Sequence, residues 1–302
     1  MKRGWKSAGP AILCFIGLAS ATSISGQSLP AVAVDIDPVF ARHGVTVIGW
    51  NDPQFRTAVE QVAGPEIHAK TNILDPYTLV LSSNGPSDPV LVVVRYQRVN
   101  GAGQVIDGQM VHIMPPIIAS RQFVLMPDSV SSVAVNSHGK RQPPNFDSLI
   151  RAEYAAKFSP QIFPRGTVSL DLVIFADGGA IGPDRAGMFE VERGKAQIEA
   201  AMLAKLQDSS IPDDQIKSWL AGLAAKTAGV VGQDGRPNYL NDHEVGTAGN
   251  LLRAMSILGG RKQLADWYAK IQASRRPPAS RLHRLEQHCT ADRPAQYPLP
   301  LL

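Results

Sequence analysis

The hydrophobic period of this chain changes to helical and stays so after Leu172–Asp184, LVIFADGGAIGPD. From Thr78 to Phe175 the period is mostly two. In VLVVVRYQRV (Val90–Val99), Val90, Val92, Val94 and Tyr96 alternate with Leu91, Val93, Arg95 and Gln97. Beyond Pro183 apolar residues recur every three or four positions, as in Ile216, Leu220 and Leu223. Side chains on a strand repeat every two residues and on a helix every 3.6, so a β part must come first and an α part second.

In the β part, Asn100–Gly103 (NGAG) is a glycine-rich loop between Val90–Val99 and the strand that follows in QVIDGQMVHIM, which makes a hairpin. Short strands are expected at Ala31–Asp37, Val45–Trp50, Thr78–Ser82, Gln122–Met126 and Ser132–Asn136. In the last long strand, Thr167–Phe175, Val168, Leu170, Leu172 and Ile174 point one way and Thr167, Ser169 and Asp171 the other. The count and the turn spacing fit an immunoglobulin-like antiparallel β-sandwich. Two helical inserts interrupt it, one starting at Asp52-Pro53 and one capped by Asp147, with an exposed loop over Ser137–Asn145.

The α part predicts helices over Arg185–Gln207, Asp213–Lys226, Asp242–Leu258 and Arg261–Ser274, forming a small α-helical bundle, with Gly259-Gly260 as a stop. The expected organisation is a sandwich domain over residues 22–183, a helical subdomain over 184–274 and a disordered basic, Pro-rich tail over 275–302.

Residues 1–21 read as a secretory signal. Lys2, Arg3 and Lys6 precede the short apolar run Ala11–Ala19, and Ala19-Ser20-Ala21 offers a small-x-small cleavage site, with Gly26 as a later one. The run falls short of the roughly 20 apolar residues of a spanning helix, so retention as an anchor is the lesser alternative. Cleavage leaves no transmembrane segment and removes Cys14, so the mature chain keeps only Cys289 and has no internal disulfide. That thiol is incidental or bridges to another chain.

The formal charge of +4 comes from the two ends, since residues 1–21 carry +3 and residues 275–302 another +3. The remaining body is at −2, which argues against nucleic acid as a partner.

No local motif commits the chain to a chemistry. His243-Glu244 lacks the second histidine four residues on, where Thr247 stands; Asn241 with Glu244 reads instead as a capping box. Asp35 and Asp37 share one face of an extended segment, which reads as the polar side of an edge strand beside Pro38. His112 falls on the less apolar side of its strand, and His43, His68 and His138 are expected in loops. No G-x-S-x-G elbow, phosphate loop or dinucleotide fingerprint occurs.

The two aspartates of LVIFADGGAIGPD are the remaining metal candidates. Asp177 and Asp184 could be calcium ligands, but the stretch lacks the dense alternating oxygens of a calcium loop. The structural reading gives Asp177 to the turn after the last strand, Ala180-Ile181 to a short return strand and Asp184 to the cap of the next helix.

LDLVIFADGGAIGPD together with LVLSSNGPSDPVLVVVRYQ resembles segments of uncharacterised secreted bacterial proteins of acidobacterial type. The resemblance implies strands and export, and it brings no site. The expectation is an exported, secreted or periplasmic protein, non-catalytic, that binds a protein or cell-envelope component or serves envelope structure. It has no cofactor and no assigned catalytic residue. The alternative is a secreted hydrolase whose residues meet at the sandwich–helix junction.

Overall fold

The computed structural model describes residues 31–113, 121–127, 158, 162–229, 238–275 and 277–285. The signal segment, Cys14, Cys289, His138, the expected strand at Ser132–Asn136, the loop after it and the helix capped by Asp147 lie outside these residues, apart from Phe158.

The described chain mixes α and β, with two open, mostly antiparallel sheets. The larger runs β5 (Val105–Ile113), β4 (Pro89–Val99), β7 (Arg165–Phe175), β8 (Gly179–Ile181) and β9 (His283–Arg284), and β1 (Ala31–Asp35) also pairs with β7. The smaller runs β2 (Val45–Gly49), β3 (Leu79–Ser83) and β6 (Gln122–Leu125). Two pairings are parallel, β1 with β7 and β8 with β9, which a purely antiparallel expectation did not include.

The sheets face each other across one core. Val92, Val94, Tyr96, Val168 and Leu170 of the larger sheet meet Val45, Leu79, Leu81 and Leu125 of the smaller. Three short helices plug this core: α1 (Val39–Arg42), α2 (Phe55–Ala63) and α3 (Pro65–Thr71). Phe158 packs tilted against Tyr77 at 4.9 Å between ring centroids, with the Arg98 guanidinium 5.0 Å from its own centroid.

The opposite face of the larger sheet carries a second apolar layer. Leu91, Val93, Leu172 and Ile174 pack against Met188, Phe189 and Val191 of α4 (Met188–Gln207). Because β4 and β7 are covered on both faces, they read as near-continuous apolar runs. A third core joins α4 to α5 (Asp213–Ala224), α6 (Tyr239–Leu258) and α7 (Arg261–Arg275) through Met202, Leu206, Ile216, Leu220, Leu251 and Leu264.

One expectation fails inside β7. Leu172 and Ile174 do not share a face with Val168 and Leu170, because the register with β4 shifts there: Val93 pairs with Leu172, but Val94 pairs with Leu170. Asp171 is the extra residue of a β-bulge, and the alternation reverses across it, so Val173 and Phe175 join the inter-sheet core.

The helix starts move as well. The second helix begins at Phe55, with the Asp52 carboxylate accepting from Gln54 N–H at 2.8 Å. The third long helix begins at Tyr239, capped by Asn238, whose Oδ1 accepts from Asn241 N–H at 3.1 Å. The Asn241–Glu244 capping box is therefore corrected: Asn241 donates to Thr227 O, and Glu244 binds Lys226.

Candidate functional site

Asp177 and Asp184 come to lie at the corner where β7, β8 and α4 meet. The Asp177 carboxylate accepts from Gly179 N–H at 2.9 Å, an Asx-type turn that starts β8. Gly178 and Gly182 hold the bend at φ of 96° and 123°. A Cβ on Gly178 would lie 2.2 Å from Arg281 O, and one on Gly182 2.4 Å from Asp171 O, so neither position admits a side chain.

Asp184 caps α4 from three residues upstream of Gly187, which is the residue at the N-cap position. Its Oδ1 accepts from Met188 N–H at 2.7 Å and Phe189 N–H at 3.2 Å. It reaches them with φ at 50°, the only described non-glycine residue in the left-handed region. Asp is among the few side chains that tolerate this conformation.

The sequence reading gave Asp171 no role. Its side chain is fully buried, and the bulge turns it toward the start of α4. There it accepts from Arg185 N–H at 2.9 Å and Ala186 N–H at 3.0 Å, while its carbonyl accepts from Asp184 N–H at 2.9 Å. Two buried carboxylates thus take four backbone donors ahead of one helix.

The tail supplies the remaining partner. Residues 277–285, expected to be disordered, return to the sheet: β9 pairs in parallel with β8, and Leu282 packs in the layer beneath α4. Arg284 forms an ion pair with Asp184, donates to Gly182 O at 3.2 Å and lies 4.8 Å over the Phe189 ring. Arg185 binds Asp35 at 2.8 Å, which ties β1 to the same corner. Burial pushes the Asp184 carboxyl up to about 6, against the pull of Arg284 and of the Phe189 and Met188 amides, and the nearby Asp171 charge adds to the rise.

Every oxygen contact found for these aspartates is to protein N–H groups. Among the described residues no group of three or more His, Cys, Asp or Glu side chains is arranged to hold a metal ion.

The other sequence candidates are dispersed. Asp35 serves Arg185, and Asp37 accepts from Val39 N–H at 2.9 Å. His243 binds Glu199 at 2.9 Å. His112 is buried in β5. His68 departs from expectation: it sits in α3, buried, with Nε2 2.9 Å from Asp75 and Nδ1 3.3 Å from Glu60. Burial raises the Asp75 carboxyl, while hydrogen bonds from Arg56 and His68 lower that of Glu60. The three come from α2, α3 and the turn before β3, so no local spacing announces them.

The junction between the larger sheet and the helices, where a hydrolytic site was the alternative, holds a recess lined by Val90, Leu91, Ile174, Ala196, Pro277 and Leu282, with room for about one water molecule. Glu192 borders it, held by Lys195 at 2.7 Å.

Comparison with protein-family models, with curated proteins and with solved structures finds no match for this chain.

The most exposed apolar feature of the β part is β5. It is nine residues long and pairs with β4 without a break in register. Among the described residues no strand lies on its other side. Val105 is 59% exposed, Ile113 49% and Ile106 39%. The strand carries no proline or lysine, and its one carboxylate, Asp107, is neutralised by Arg95 at 2.9 Å. A long edge of this kind, with exposed apolar residues and no described strand beside it, is what sheet proteins otherwise avoid. No described helix is long and apolar enough to cross a membrane.

Proposed function

We propose that the chain is an exported, non-catalytic binding module: an immunoglobulin-like β-sandwich with helical inserts, joined to a small helical bundle, that takes its partner by strand addition at β5. The outer edge of β5, which no described strand covers, carries this reading, because such an edge offers backbone donors and acceptors together with exposed apolar side chains. The corner at Asp177 and Asp184 supports it from the other side, since the two carboxylates that looked most like a site are engaged by backbone amides and, at Asp184, by Arg284. Export rests on the basic start, short apolar run and small-residue site of residues 1–21.

A photoreactive amino acid at Val105, and in a second strain at the exposed Lys217 of α5, tests the reading in the producing cell. Illumination should yield a covalent adduct in the envelope or medium fraction from position 105 and not from 217. Retention of the chain in the cytoplasm, or equal yields at both positions, sinks the proposal.

A further inference from the structure

We infer that the partner at β5 is a second copy of this chain, added antiparallel about a two-fold axis through Gln109; this rests on the strand-addition reading above. The backbone fixes which groups face outward. At the hairpin, Asn100 N–H donates to Gln104 O at 3.0 Å, so residues 100 and 104 form a hydrogen-bonded pair. Hydrogen-bonded and open pairs alternate along an antiparallel ladder. Of the β4–β5 pairs, 98–106, 96–108, 94–110 and 92–112 are then bonded inward. The N–H and C=O groups of Val105, Asp107, Gln109, Val111 and Ile113 point away from β4.

A second β5 laid against this edge must present the same odd-numbered residues. The register that uses all nine positions pairs Val105 with Ile113, Asp107 with Val111 and Gln109 with itself. Every one of these is an odd–odd pair, so all the outward groups on both copies are satisfied together. The same register covers the two most exposed apolar residues of the strand with each other. Asp107 meets Val111 and not a second Asp107, so no like charges oppose. The interface is isologous, as a closed two-fold dimer requires.

The test uses the full chain carrying Cys14→Ser and Cys289→Ser. Val105→Cys alone should stay uncrosslinked, because a two-fold at Gln109 leaves the two copies of position 105 about 27 Å apart. Ile113→Cys alone should behave likewise. An oxidised mixture of the two should give a disulfide dimer, since the Cα atoms of a hydrogen-bonded pair lie about 5.5 Å apart, within disulfide range.

Sedimentation provides the second measurement. The wild type should run at twice the monomer mass, and Gln109→Pro, which removes an outward N–H, at the monomer mass with an unchanged circular dichroism spectrum. Gln109→Ala keeps that N–H and should remain dimeric. A monomeric wild type, or crosslinking of either single variant as strong as that of the mixture, overturns the inference. So does an adduct at position 105 in cells whose mass is not twice that of the chain, and this last result leaves the strand-addition reading standing.

Discussion

The two long sides of the larger sheet are finished in opposite ways. On the far side of β7, short strands β1, β8 and β9 close the edge, and buried carboxylates, an arginine stacked on Phe189 and two glycines that admit no side chain lock them to α4. On the near side β5 runs nine residues with one exposed ion pair and three exposed apolar side chains. The closed side is built from pieces more than 100 residues apart in sequence, whereas the open side is a local hairpin. Among the described residues the long-range contacts gather on one edge and no strand covers the other, which is the edge the proposal uses.

The sharpest way to break this comparison is to reopen the closed side. A chain stopped after Arg275 loses β9, the Leu282 packing and the Arg284 partner of Asp184. Measured against a chain stopped after Leu285, it should lose about 3 kcal/mol in denaturant unfolding, the scale for breaking a buried ion pair. Sequence reasoning alone expects no loss here. Equal stability of the two truncations would return residues 277–285 to the status of a loose tail. Asp171→Ala should cost nearly as much, about 2–3 kcal/mol, because it leaves the part-buried Arg185 and Ala186 amides without their acceptor.

Alternation in β4 and the hairpin loop were legible because both are local: each is decided by residues within about ten positions. Long helices were legible for the same reason. The bulge at Asp171 was not, since it exists only in the register of β7 against Val93 and Val94. Asp184 was recognisable as a capping residue by type and place. Its left-handed backbone, its second role as partner of Arg284 and its distance from the helix start all depend on the returning tail. Pro-rich flanks and scattered arginines made that tail look unfoldable, yet two residues of β ladder and one half-buried leucine suffice when the receiving edge already stands. His68 shows the same limit, with carboxylates eight residues before it and seven after.

Acidity tests how tightly the closed side is shut. The Asp184 carboxyl lies above its ordinary value of 3.8, at about 6 in the fold, so between those values the native state binds more protons than the unfolded chain. Stability from this group is therefore greatest below about pH 4 and falls as pH rises through 6. Relative to Asp184→Asn, which keeps a capping oxygen and tolerates the φ of 50°, the wild type should lose about 2 kcal/mol between pH 4 and pH 7. Parallel pH profiles for the two proteins would show that burial does not penalise the charge. Asp184→Ser should recover less than Asn, because serine caps well but favours the left-handed region less.

The smallest effect belongs to the open side, and there the contrast is cleanest. Arg95–Asp107 and Arg284–Asp184 are both close arginine–aspartate pairs, each bridging separate strands or a strand and a corner. They differ in where the carboxylate sits: the Asp184 side chain is 3% exposed and that of Asp107 47%. Water screens the second pair, and exposed pairs of this kind contribute about 0–1 kcal/mol. The hydrogen bonds that Arg95 donates to the Asp107 carboxylate hold its guanidinium above its ordinary value, which fixes the direction of the interaction but not a large stability. Asp107→Asn should therefore cost less than about 1 kcal/mol, diminish further in high salt, and leave sedimentation unchanged, because Asp107 faces Val111 across the two-fold. A loss as large as that from Asp171→Ala would mean that the hairpin edge is braced as firmly as the corner, and the two sides of the sheet would no longer be different in kind.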